Sequence, residues 1–102
     1  MFDNLMGNME EQQAAMQQKL AAILIESSAG DGAITVKASA NKQIVNISID
    51  ETKLDLTDKE ELEDLLLIAI NRALDLAEEK AAAETENLLK DMLPPGFGNL
   101  FG

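Results

Sequence analysis

The sequence predicts an α+β protomer: an N-terminal helix, a three-stranded antiparallel meander, a long C-terminal helix and a Pro-Pro-Gly-Phe tail. Three observations carry that prediction. Apolar residues recur at steps of three and four up to position 23, β-branched residues alternate with polar ones between 24 and 50, and from Thr57 no helix breaker occurs before Pro94. With 102 residues the chain forms one domain, 1–102. Within it the spacing places a helix over 1–23, strands over 24–50, a long helix over 58–91 and the tail over 94–102.

The first helix rests on the stripe Phe2, Met6, Met9, Gln13, Met16, Leu20 and Ile23, in which only Gln13 is polar. Two readings fit this stripe equally well. It either lies on the protomer's own sheet or forms a seam against another helix, since a short 3.5-residue period serves both.

The stretch IESSAGDGAITVKASANKQIVNISID then changes texture. A short strand from about Ile23 to Ser28 is expected first. The segment SAGDG follows as a turn that permits positive φ at Gly30 and Gly32. A hairpin comes next, with Ile34, Val36 and Ala38 sharing a face with Val45, Ile47 and Ile49, and its turn near Ser39 to Lys42.

The second helix opens with Thr57 three residues ahead of Glu60, a capping-box spacing, and carries Asp58, Glu60 and Glu61 at the positive end of its dipole. Run to Asp91, it is about 50 Å long at 1.5 Å per residue. A compact chain of this size has a radius of gyration of about 13 Å. Such a helix must protrude or pack on a second chain. Its apolar residues fall on two stripes, Leu62, Leu66, Ala69, Ala73 and Leu76 on one and Leu67, Ile70, Leu74, Ala77, Ala81 and Leu88 on the other. One stripe can cover the sheet, and the other points to a homodimer. Leu62, Leu66, Ile70, Leu74 and Phe97 are the candidate interface residues. Phe97 and Phe101 hold two of the three aromatic rings of the chain, and Phe97 is expected to dock in an apolar groove.

Eight basic residues against nineteen acidic ones give a formal net charge of −11, which favours basic partners and disfavours nucleic acid and anionic membranes. The absence of Cys and His removes disulfides, ordinary zinc sites, thiol nucleophiles and the usual general base. No phosphate loop or nucleophile elbow is present, and Glu60, Glu61, Glu63 and Asp64 spread around a helix instead of converging on a cation. No enzyme, cofactor or metal site is expected. The start MFDNLMGNMEEQQ has no basic region followed by an apolar run, and LLLIAI is far shorter than the roughly 20 residues of a membrane span. A cytoplasmic protein is the expectation.

Four stretches, MEEQQAAMQQKL, GAITVKASANKQIVNISID, DKEELEDLLLIAINRAL and LPPGF, occur in this order across nearly the whole chain. In order and spacing the sequence resembles the YbaB/EbfC family of nucleoid-associated proteins. The resemblance implies a homodimer that binds duplex DNA with little sequence preference and affects its organisation or gene expression. It also implies a place in the nucleoid. Where several relatives carry basic residues in the second hairpin strand, this chain has Val45 and Asn46.

Segment by segment, only 33–49 is net basic, through Lys37 and Lys42. With Val36 and Val45 toward the core, Thr35, Lys37, Asn46 and Ser48 share the opposite face, a polar surface without a single carboxylate. Lys37, Lys42 and Asn46 are therefore the candidate DNA-binding residues, and Arg72 of the long helix joins them if a dimer aligns it with the hairpin. Arg72 and Lys80, eight apart on the long helix, are better read as solvated helix charges, with Lys80 answering the cluster from Asp75 to Glu79. No Trp or Tyr is available to stack on single-stranded bases. The competing reading is an acidic dimeric chaperone or adaptor for a basic protein partner, with no DNA binding. It takes the net charge at face value.

Overall fold

The structure, a computed structural model, describes residues 2–92, with side chains from 9 to 91. Helix α1 (Phe2–Ala22) leads into strands β1 (Leu24–Ala29), β2 (Ile34–Ser39) and β3 (Gln43–Ile49), and helix α2 (Lys59–Met92) completes the order. The sheet is antiparallel in the order β1-β2-β3. Its class is the α+β arrangement expected from the sequence. The tail at 94–102, with Phe97 and Phe101, lies outside the described residues.

Both turns follow from local chemistry. Gly30, Asp31 and Gly32 have φ of 66°, 56° and 88°, so the β1–β2 turn does use positive φ at the two glycines. A Cβ on Gly30 would come within 2.9 Å of Leu65 Cδ1, so the glycine also makes room for α2. Between β2 and β3 the Lys42 N–H donates to the Ser39 carbonyl at 2.9 Å, and Lys42 itself has φ of 67°. A tight turn followed by one left-handed residue is a common way to close a hairpin.

The core lies between the sheet and α2. Ala29, Ile34, Val36 and Ala38 from the strands meet Ala69 and Ala73 from the helix, with Leu62, Leu65, Leu66 and Ile70 packed around them. Ala69, Ala73 and Ala77 are fully buried. Methyl groups at this spacing let the helix sit low on the sheet, and the Ser27 hydroxyl beneath it donates to the Ala69 carbonyl at 2.5 Å. The stripe that covers the sheet therefore continues through Ala77, whereas Leu76, placed on it from the sequence, is 39% exposed. A 3.6-residue repeat drifts relative to steps of three and four, and this drift moves Leu76 off the contact line.

Three further differences are informative. The N-cap of α2 is Asp58, whose carboxylate accepts the Glu61 N–H at 3.2 Å; Thr57 instead gives its N–H and hydroxyl to Asp55 at 2.9 and 2.6 Å. The capping pattern is thus shifted by one residue, with Asp replacing Thr as the acceptor. In the hairpin, Lys37 pairs with Asn46 while Ala38 pairs with Ile44, so Val45 is the extra residue of a β-bulge. Ile44 takes the place expected of Val45.

Helix α1 is the third. Its last turn is tied to the hairpin by the Ala40 N–H, which reaches the carbonyl of Leu20 (3.1 Å), also the acceptor of the Ile23 N–H (3.2 Å), and that of Ile23 (2.9 Å), just beyond the helix. Leu20 is buried and Met16 and Ile23 half-buried, but Met9 and Gln13 are exposed. Among the side chains described, only the C-terminal end of the apolar stripe rests on the rest of the chain. Beside it, Lys19 Nζ lies 3.0 Å from Glu84 of α2. Gln12, Ala15 and Met16 of α1 line a groove with Leu88 of α2, so lower α1 numbers sit by higher α2 numbers and the two helices run antiparallel. The chain is accordingly elongated, 61 × 35 × 18 Å with a radius of gyration of 19.1 Å.

Candidate nucleic-acid interface

Strand register decides which polar residues meet. Thr35 is opposite Ser48 and Lys37 is opposite Asn46, so these four share the sheet face away from α2. On the other side of β2, Lys37 is opposite Glu26 and Thr35 opposite Ser28. Glu26 corrects the picture of a face without carboxylates, because that picture covered the hairpin alone and β1 contributes to the same surface. Lys37 and Glu26, with Leu24 and Ile25, line a shallow depression of about 250 Å³. Asn46 Nδ2 donates to Ser48 Oγ at 3.2 Å, which orients the amide along the strand.

Lys42 sits at the hairpin turn, its ammonium 3.9 Å from Glu78 of α2, with both side chains more than half exposed. A contact that long and that wet is worth little and is readily exchanged for another anion. Arg72 is elsewhere. Its Nη1 donates to the Ser28 carbonyl at 3.1 Å, fastening α2 to β1, the edge strand farthest from the β3 bulge. The structure therefore brings Lys37 and Asn46 together, leaves Lys42 at one end of the hairpin and sets Arg72 apart. Lys80, expected to answer nearby helix carboxylates, forms no ion pair among the described residues, and Lys90 pairs with Glu86 instead.

Sequence reasoning missed two features. Lys53, in the connection between β3 and α2, reaches back to the Asp31 carbonyl at 3.3 Å, and its charge was hidden among Asp50, Glu51 and Asp55. More consequential is β3, every residue of which is exposed. Ile44, Ile47 and Ile49 lie opposite Ala38, Val36 and Ile34, on the core face, yet α2 leaves each of them about 40% exposed. The signal was geometric: strands are about 4.8 Å apart and a helix is about 10 Å wide, so a single helix shields two strands and not three. Of the candidate interface residues, Leu62, Leu66 and Ile70 pack on the core of the chain itself and are half-buried, as is Leu74.

The sequence model of the YbaB/EbfC DNA-binding family matches residues 1–92. The chain belongs to that family. A nucleoid-associated protein of Acidobacterium capsulatum is 40% identical over 102 residues, covering 94% of each chain. Another, from Alkaliphilus metalliredigens, is 40% identical over 90 residues, 88% of this chain and 75% of the relative. The crystal structure of an uncharacterized Helicobacter pylori protein superposes with a TM-score of 0.70 at 24% identity, over 86% of this chain and 92% of that one. At that identity the match speaks for the fold alone. The family is one of DNA-binding proteins, not of enzymes.

Proposed function

We propose that this YbaB/EbfC protein is a nucleoid-associated homodimer that binds duplex DNA with little sequence preference through the β2–β3 hairpin. The observation that carries this reading is the register pair Lys37–Asn46, flanked by Thr35 and Ser48 on an exposed face, with Lys42 at the adjoining turn. This is the one net-basic segment of the chain. Lysines and neutral hydrogen-bonding side chains suit phosphates, which carry no sequence information.

Dimerisation is supported by the isoleucines of β3, each about 40% exposed on the core face of the sheet. An apolar edge strand left open in water is a template for another chain, and a closed twofold contact satisfies it without endless growth. Two hairpins per dimer supply four lysines. Each phosphate contact contributes a slope of roughly −0.9 to the log–log salt dependence, so the total should be no steeper than about −4.

Electrophoretic shift of duplex DNA at low and moderate salt tests the reading. Changing Lys37 and Lys42 together to Glu should abolish the shift while far-UV circular dichroism stays unchanged, since both side chains are exposed. Binding that survives the double change would move the site off the hairpin. No shift of the unaltered protein even at low salt would favour the acidic adaptor for a basic protein partner.

A further inference from the structure

Along the sequence the hairpin is a basic island in an acidic chain, but in space each of its lysines meets a carboxylate from another element. Glu26 of β1 is the register partner of Lys37, and the two line the same depression on the outer face of the sheet. Glu78 of α2 stands 3.9 Å from Lys42, and among the described residues this is the one ion pair that joins the hairpin to another element. Two lysines against two carboxylates cancel the positive charge that 33–49 carries when it is read alone. Lys37 has Glu26 across one ladder and Asn46 across the other, so its ammonium can serve either that carboxylate or a phosphate held beside the amide.

We infer that Glu26 and Glu78 are intramolecular competitors of DNA phosphate, the residues that set how tightly the hairpin holds a duplex. The inference rests on the hairpin reading above and names what an incoming phosphate has to displace. Carboxylate and phosphate oxygens offer an ammonium the same kind of charged acceptor. A carboxylate fixed in the fold is present at high local concentration. Once displaced it stays beside the phosphate, where like charges repel. The Lys42 and Glu78 side chains are 56% and 70% exposed, so the pair exchanges readily and weakens DNA binding only about twofold. With two pairs in each protomer of a dimer, independent effects multiply to about tenfold.

Glu26→Gln and Glu78→Gln keep the side-chain shape and remove the charge. Both positions are exposed, so circular dichroism should be unchanged. In a titration of fluorescently labelled duplex DNA at low salt, the protein carrying both changes should bind about tenfold more tightly than the unaltered one. The gain should shrink as salt rises, because the intramolecular pairs are themselves screened. Glu10→Gln with Glu11→Gln removes the same charge from exposed positions on α1 and should alter affinity by less than about twofold. Adding Lys42→Met should erase the gain from Glu78→Gln and preserve that from Glu26→Gln. An equal gain from the α1 pair, or a Glu78→Gln gain that survives Lys42→Met, would overturn the inference. Binding that requires Lys37 and Lys42 yet ignores both glutamate changes would overturn it while the hairpin reading stands. Binding that ignores Lys37→Glu with Lys42→Glu, or no binding by either the unaltered or the doubly changed protein, would overturn both.

Discussion

Arg72 shows how one hydrogen bond separates a structural cation from a ligand-binding one. Its guanidinium is fixed at 3.1 Å on the Ser28 carbonyl, an acceptor on the open side of β1 that would otherwise face water or a stray strand. Occupied in this way, the side chain both holds α2 to the sheet and blocks the β1 edge. Arg72→Met keeps the aliphatic stem and removes the donor. Its expected effect is a loss of about 0.5–1 kcal/mol in denaturant unfolding, the range for an exposed charge-assisted bond, with an affinity for duplex DNA unchanged within about twofold. A large fall in affinity with unaltered stability would return Arg72 to the DNA-binding set. Sequence spacing could place Arg72 on α2 but could not reveal a partner forty-four positions away.

At the scale of elements, the connection between β3 and α2 is organised by two aspartates that each gather a threonine. Asp50 accepts the Thr52 hydroxyl and N–H, and Asp55 does the same for Thr57. In each case the hydroxyl is the larger influence and the backbone N–H the second, and together they hold the carboxyl below its ordinary value. A native pKa below the unfolded one means that the ionised form favours folding. The contribution is present above about pH 4, the unfolded value, and disappears as pH falls through the native one. Urea midpoints measured from pH 6 down to pH 3 should therefore fall less steeply for the double change of Asp50 and Asp55 to Asn than for the unaltered protein. Parallel curves would show that these turns are not populated in solution.

Most of this architecture was legible because local chemistry and tertiary packing agree. Gly30 and Gly32 announce their turn, Ile34 and Val36 alternate as a half-buried strand must, and the run from Lys59 contains no breaker. The bulge at Val45 was not legible, since IVNISI satisfies strict alternation equally well with or without an extra residue. The cap moved by one residue for a similar reason. Thr57 and Asp58 are both good caps, and only the competing bond from Thr57 to Asp55 decides between them. Within the candidate site, the Lys37–Asn46 pairing followed from strand phase, while Glu26 entered through a third strand whose register the hairpin does not determine.

For the whole molecule, the unshielded side of the sheet is the dominant feature. Ile44, Ile47 and Ile49 are each about 40% exposed on the face that elsewhere forms the core. A second protomer covering them would complete what α2 leaves open. Sedimentation at micromolar concentration is expected to report twice the 11.0 kDa chain mass. Ile47→Asp, which puts a charge at the middle of the stripe without touching the fully buried Ile34 and Val36, should shift the protein to monomer and weaken DNA binding by halving the lysines presented together. A stable monomer in the unaltered protein, or a dimer indifferent to Ile47→Asp, would place the contact elsewhere.

The alanines that seat α2 on the sheet also make it a lever. Ala69, Ala73 and Ala77 grip the helix near its middle, and fifteen residues from Ala77 to Met92 project about 22 Å past the grip. A pivot tilt of about 5° would carry the far end through about 2 Å, more than the mismatch a close-packed contact tolerates without repacking. Small side chains at the fulcrum thus govern the alignment of surfaces remote from it, and a single added methyl at Ala73 would be read out at the tip of the arm before it was felt in the core.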